Sequence, residues 1–294
     1  MKKYVLDLKV SSVEAVHQRY VLIKLTHNAP LTNGRDCSRS GIETSSDTSH
    51  LIAALPDMRP GQFVEVRVDN SPTTFLRRPI SICFVDRSAN ELWLLVAVVG
   101  EGTRHLAQLK TGDTLNCVMP LGNGFTLPQS SLSSTEETDE GVGNGSFLLV
   151  GGGVGVAPLL YLGAELHRAG YPTTFLLGAR SANDLLLLDE FKKYGRVFIT
   201  TEDGSLGETG FVTNHSILCQ ERFARIATCG PTPMMKAVAR YARETGTACE
   251  VSLENMMACG LGACLCCVEK TIDGNVCVCK EGPVFNILKL LWQN

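Results

Sequence analysis

Six of the 12 cysteines in this 294-residue chain lie between Cys259 and Cys279. So dense a run of thiols constrains the fold more than any other feature, because a short segment cannot bury all of them as small apolar side chains. It must be tied by disulfides or by metal. Residues 1–10 carry Lys2, Lys3, Asp7 and Lys9 among their apolar residues and lack the apolar core of a secretory signal. A cytoplasmic location is therefore expected. Disulfide frameworks are rare there, and metal binding or redox work is the better reading. The other cysteines are scattered and are expected to be mostly buried small hydrophobes.

Within the run, Cys259, Cys264 and Cys267 form a C-x4-C-x2-C pattern, with Cys266, Cys277 and Cys279 close by. That is the opening spacing of plant-type ferredoxins, whose thiolates hold a [2Fe–2S] cluster. Gly260 and Gly262 let such a loop wrap a cluster and turn N–H groups toward sulfur, which lowers the cost of its negative charge. Zinc on four thiolates and a chance spacing are the alternatives, and the stretch holds no histidine. Spacing leaves the fourth ligand open between Cys277 and Cys279.

The rest of the chain shows two patterns. Up to about residue 127, apolar and β-branched runs at residues 4–10, 20–26, 63–68, 80–85 and 92–99 are separated by turns such as Pro60-Gly61. Short strands so spaced predict an antiparallel β-barrel. From Phe147 strands (residues 147–150, 173–177, 197–201 and 225–228) alternate with helices (156–169, 185–194 and 234–244). This predicts a doubly wound parallel sheet. The expected fold is thus multidomain α+β: a β-barrel over residues 1–127, an α/β nucleotide-binding domain over 147–250 and a small cysteine module over 251–294. Residues 32–49 and 128–146 are Ser/Thr/Gly-rich, exceed the usual loop length and are expected to be flexible insertions. The net charge of −3 offers no basic stripe for nucleic acid. The most apolar stretch, residues 147–162, is broken by four glycines and Pro158, so no membrane span is expected.

Two turns of the α/β half fall outside the carboxyl ends of strands, where open sheets bind ligands. In Gly151-Gly152-Gly153-Val154-Gly155-Val156-Ala157-Pro158, glycines admit a pyrophosphate and a helix start offers free N–H groups. The spacing departs from GxGxxG, and tight turns use glycine anyway, so this turn alone leaves the matter open. The second turn, Cys229-Gly230-Pro231, lies at another strand end; together the two can flank a nicotinamide, although Cys229 alone reads as a buried small residue. In the barrel half, Leu76-Arg77-Arg78-Pro79-Ile80-Ser81 and the later Gly102-Thr103 suit a phosphate and a flat ring laid along a strand. Alone they also read as a surface arginine pair. No Ser-His-Asp or paired-carboxylate arrangement stands out, so no catalytic side chain is expected.

In this order the motifs resemble the ferredoxin–NADP reductase superfamily, and more closely the electron-transfer subunits of bacterial class 1B dihydroorotate dehydrogenases. The resemblance covers nearly the whole chain except the two insertions. It implies FAD on Arg78, Pro79, Ile80 and Ser81, with Gly102 and Thr103 at its diphosphate and Leu95, Val96 and Ala97 along the flavin. It implies NAD on Gly152, Gly153, Gly155, Cys229, Gly230 and Pro231. It implies a [2Fe–2S] cluster on Cys259, Cys264, Cys267 and Cys279, the last preferred to Cys277 because only Lys280-Glu281 separates it from Gly282-Pro283, as in the family loop. Cys266 and Cys277 are extra thiols, and the gap from Cys267 to Cys279 is shorter than in plant-type ferredoxins.

The activity implied is electron transfer in de novo pyrimidine (UMP) biosynthesis. Electrons from dihydroorotate oxidation in an FMN-containing catalytic subunit, in a heterotetramer of two of each chain, would pass through the cluster and FAD to NAD+. Subunits of sulfide dehydrogenase and of NADH-dependent ferredoxin:NADP oxidoreductase are the rival of the same architecture. They often carry aspartate for one cluster cysteine, and four cysteines here favour the first reading. A metal-binding or redox-sensing module without turnover is a rival of another class. Asp184, Asp189 and Glu190 disfavour a 2′-phosphate and so point to NAD rather than NADP, whereas Arg180 and Ser181 point the other way.

Overall fold

The structure, a computed structural model, describes residues 2–27, 54–128 and 145–292. The first predicted insertion, and residues 129–144 of the second, lie outside the described residues.

Six strands close an antiparallel barrel. They are β1 (Tyr4–His17), β2 (Tyr20–Thr26), β3 (Phe63–Val66), β4 (Arg78–Asp86), β5 (Glu91–Ala97) and β6 (Thr114–Leu121), in the order β1-β2-β5-β4-β3-β6. A short helix, α1 (Glu101–Leu106), precedes β6. The apolar runs supply the interior: Leu8, Ile23, Val64, Val66, Ile82, Leu92, Leu94 and Met119 are all fully buried. Strand β1 continues well past the predicted stretch, because Val13 pairs with Ile23 and Ala15 with Val21 across the hairpin to β2. Strand β6 was not read from the sequence. Its polar Asn116 is tied into a network: Arg77 donates to the Asn116 carbonyl at 3.0 Å, and the Asn116 amide donates to Asp7 at 2.6 Å.

The second half contains β7 (Phe147–Gly152), α2 (Ala157–Arg168), β8 (Thr173–Ala179), α3 (Leu188–Phe191), β9 (Arg196–Thr201), β10 (Glu208–Thr209), α4 (Ile217–Gln220), β11 (Arg225–Cys229), α5 (Thr232–Thr245) and β12 (Ala248–Ser252). Then follow β13 (Val268–Thr271), β14 (Gly274–Cys277), α6 (Val278–Glu281) and β15 (Val284–Asn286). The sheet order is β10-β9-β8-β7-β11-β12-β15, parallel throughout except that β15 runs antiparallel to β12; β13 and β14 form a separate hairpin. The predicted helix over residues 185–194 is a single turn, interrupted at its start by Leu187 at φ 56°. Residues 147–162 divide into β7 and α2, and no helix among the described residues is long and apolar enough to cross a membrane.

Two cores weld these parts together. One runs from the barrel interior into α2, where the Tyr161 hydroxyl donates to the Met58 carbonyl at 3.0 Å and Phe84 meets Tyr161 edge-on. The other joins Phe63 and Leu121 on the outside of the barrel to Val251, Cys267, Cys279 and Phe285. Asn123 adds hydrogen bonds to the carbonyls of Lys280, Glu281 and Gly282. The cysteine-rich end is therefore clamped between barrel and sheet.

Candidate flavin, nucleotide and cluster sites

The Arg-Arg-Pro-Ile-Ser motif opens β4, and its two arginines have different surroundings. Arg77 is spent on the barrel, donating to the carbonyls of Glu65 and Asn116 and to the Asn116 side chain. Among the described residues Arg78 bonds only the nearby carbonyls of Leu76 and Arg77, and its Nε lies 3.1 Å from where a Cβ on Gly102 would sit. The sequence separation between Arg78 and the Gly102-Thr103 turn is thus closed in space. Thr103 fixes that turn: its hydroxyl accepts from the N–H groups of Val99 and Gly100 at 3.0 Å each and donates to the Gly100 carbonyl. Pro79 and Ser81 pair with Glu65 and Phe63 of β3. Leu95 and Val96 are buried in β5 beside β4, and Ala97 pairs with Tyr20. Phe75 (90 % exposed) and Val99 (81 %) flank the site. Apolar surface left so open beside a phosphate-type arginine fits a flat aromatic ligand that would cover it.

On the sheet, the two predicted turns touch. A Cβ on Gly155 would lie 2.5 Å from the backbone N and Cα of Gly230 and 2.6 Å from the carbonyl carbon of Cys229. Only glycine permits that approach. The turns line a cleft of about 720 Å³ with Gly152, Gly153, Pro231 and Met234, and Tyr20 reaches in from the barrel. Gly155, Cys229 and Gly230 stand behind this lining. Cys229 is fully buried in an environment that pushes its thiol far up, and it points at Glu254, Sγ to Oε1 3.8 Å. Glu254 keeps solvent access, yet desolvation by its surroundings raises its carboxyl. The sequence reading missed Glu254; a single carboxylate after a strand carries no periodic signal.

Of the three predicted specificity carboxylates, only Asp184 lines the cleft. It accepts from Ser181 Oγ at 2.9 Å and from Arg19 of the barrel at 3.2 Å, contacts that hold its carboxyl below its ordinary pKa. Asp189 and Glu190 instead pair with Lys192 and Lys193.

The cysteine loop packs against the outside of the barrel. Leu261 N–H points at Cys259 Sγ (3.4 Å), Gly262 N–H at Cys279 Sγ (3.1 Å) and Cys279 N–H at Cys267 Sγ (3.4 Å). Chiefly through the Leu261 N–H, and also through groups of Cys264 and Ala263, the Cys259 thiol is held below its usual pKa. Burial, then the adjacent Cys267, pushes the Cys279 thiol up. These N–H groups aimed at sulfur are what a bound cluster requires. Cys277 lies against the same loop but donates to the Gly262 carbonyl at 3.8 Å; Cys266 is exposed. Among the described residues no three His, Cys, Asp or Glu side chains gather in single-ion geometry.

Residues 254–291 match the iron-sulfur cluster binding domain of dihydroorotate dehydrogenase B, and residues 149–240 match the oxidoreductase NAD-binding domain. The chain is 40 % identical over 232 residues to the electron transfer subunit of the NAD(+)-type dihydroorotate dehydrogenase B of Fusobacterium nucleatum, covering 77 % of this chain and 84 % of that one. To the corresponding subunit of Listeria monocytogenes it is 42 % identical over 234 residues, with 79 % and 87 % covered. A solved NADH-dependent reduced ferredoxin–NADP oxidoreductase superposes with a TM-score of 0.75 at 28 % identity, covering 97 % of this chain and 90 % of that one.

Proposed function

The chain belongs to the family of dihydroorotate dehydrogenase B electron transfer subunits, and from that membership we propose that it relays electrons between a catalytic partner and NAD through [2Fe–2S] and FAD. The observation that carries the reading is the placement of the cysteine loop. Gly260 abuts Glu65 of β3, and β3 pairs with β4, which bears the flavin motif. Bound together, FAD and [2Fe–2S] supply the exchange between one-electron steps and the two-electron hydride of a nicotinamide.

The chain's own residues hold and orient these groups. Arg78 takes the FAD diphosphate beside the Gly102-Thr103 turn, as the arginine not committed to the barrel. Pro79, Ile80 and Ser81 of β4 and Leu95, Val96 and Ala97 of β5 carry the flavin ring. The touching turns at Gly155 and Gly230 would hold the nucleotide in the cleft facing the barrel, with Cys229 and Glu254 beside the second turn. Cys259, Cys264, Cys267 and Cys279 ligate the cluster. Cys279 is preferred to Cys277 because its sulfur accepts an N–H, as a thiolate ligand does, whereas the Cys277 sulfur donates to a carbonyl. A [2Fe–2S] cluster is favoured over zinc by the C-x4-C-x2-C spacing and by the match of residues 254–291 to the iron-sulfur domain.

Asp184 on the cleft wall, in reach of a ribose, favours NAD over NADP. The working division is barrel 1–127, nucleotide domain 147–250 and cluster module 251–294. The partner is an FMN-containing subunit, assembled two of each. The rival ferredoxin–NADP oxidoreductase reading is weaker on identity, 28 % against 40–42 %. Reconstitution with a dihydroorotate-oxidising FMN subunit tests the proposal: dihydroorotate-dependent NAD+ reduction that requires this chain supports it, and its absence with all cofactors loaded overturns it.

A further inference from the structure

Glu65 is the least expected side chain in the barrel. It sits on β3 between Val64 and Val66, which face the barrel interior, so alternation turns Glu65 outward, toward the cysteine loop. Yet it is only 1 % exposed, and among the described residues neither carboxyl oxygen has a hydrogen-bond partner. A buried carboxyl left unpaired is costly and calls for a reason. Its surroundings are specific. A Cβ on Gly260 would lie 2.7 Å from Glu65 Cγ and 2.9 Å from Oε1, and Gly260 has φ +64°. The loop thus carries glycine at the point where the carboxyl touches it. The charges of Arg77, Arg78 and Cys259 all act on this carboxyl. Glu65 thus pairs across the ladder with Pro79 of the flavin motif and packs against Gly260, next to the first thiol of the cluster loop.

We propose that Glu65 is a positioning residue that sets the reduction potential of the [2Fe–2S] cluster, its buried negative charge holding the cluster at a lower potential than the thiolates alone would give. The inference rests on the cluster reading above. An unscreened charge close to a redox centre disfavours adding an electron to it, and burial keeps that effect strong. A merely structural residue would not move the potential.

The test is an anaerobic redox titration of the cluster by EPR in the cofactor-loaded chain, with wild type and variants compared at one alkaline pH. Glu65→Gln keeps the shape and removes the charge. The ratio of reduced to oxidised cluster at a fixed potential should rise about tenfold, a positive shift of about 59 mV for a one-electron centre. Glu65→Asp keeps the charge and should move the midpoint far less. Glu281→Gln, which removes an exposed, salt-bridged carboxylate beside the same module, should leave it nearly unchanged. An unshifted midpoint in Glu65→Gln overturns the inference. So does loss of the cluster from Glu65→Gln with FAD retained, which would make the residue structural. Failure of the wild-type chain to show any cluster signal would instead sink the functional reading itself.

Discussion

Gly155→Ala probes the joint between the two nucleotide turns. The added methyl would stand 2.5 Å from Gly230 N and Cα, against an ordinary contact limit near 3.4 Å, so the turns must part by ~0.9 Å. The neighbours are backbone, and no side chain can swing aside. Overpacking of this kind costs about 1–3 kcal/mol, a Tm loss of about 2–4 °C for each kcal/mol in a chain of this class. The functional loss should be larger, because a displacement of about 1 Å at a positioned site can cost about a hundredfold. The expected result is a fall of roughly tenfold to a hundredfold in kcat/KM for NADH in a dye-reduction assay. FAD content and the cluster spectrum should be unchanged, since β4, β5 and the cysteine loop lie elsewhere. If kcat/KM stays within about twofold of wild type and Tm does not move, the turns are not held by that contact and the reasoning fails.

Other expectations are as direct. Cys279→Ser should lose the [2Fe–2S] signal and dihydroorotate:NAD+ activity in the complex while keeping FAD and NADH:dye reduction, and Cys277→Ser should keep the cluster; the reverse pattern would identify Cys277 as the ligand. Arg78→Ala should release FAD with little change in the apoprotein's Tm, whereas Arg77→Ala should destabilise the barrel by about 1–3 kcal/mol; equal FAD loss without destabilisation in both would erase the distinction drawn between them. Wild type should strongly prefer NADH, and Asp184→Asn should improve kcat/KM for NADPH by about tenfold or more by removing a like charge from the 2′-phosphate; an unmoved preference would place the selectivity elsewhere. His215 is buried, accepts the Ile217 N–H at Nδ1 (3.0 Å) and is held below its ordinary pKa by desolvation, with Glu208 opposing. The unfolded chain then binds more protons, so stability falls as pH drops below about 6.5; His215→Asn should flatten Tm between pH 5 and 7 on that account, and an identical slope in the variant would refute it.

Much of this architecture is written in local patterns. The cysteine spacing falls in the segment matching the cluster domain, the glycine turns fall at strand ends of the sheet, and the strand-and-helix alternation from Phe147 gives the parallel sheet. What was not legible depends on contacts remote in sequence. Strand β6 hides because Asn116 breaks its apolar run, and the reason for that break, a bond from Arg77, lies in the segment just before β4. The C-terminal end of β1 is amphiphilic and becomes a strand only by pairing with β2. The helix expected over residues 185–194 has the right apolar residues but is cut by the left-handed backbone at Leu187. The commitment of Arg77 to the barrel, the placement of Arg78 beside Gly102, and that of Asp184 rather than Asp189 on the cleft required the fold. Glu65 and Glu254 gave no pattern at all, since each is one carboxylate whose meaning lies in a distant neighbour.

The measurement nearest to the central claim is an anaerobic titration of the purified, cofactor-loaded chain with NADH, followed by visible absorption and EPR. An electron path joining nucleotide cleft, flavin strand and cysteine loop predicts that the flavin bands bleach and that the signal of a reduced [2Fe–2S] cluster grows with them. Bleaching of the flavin alone, with the cluster fully oxidised under excess NADH, would contradict a path running through both.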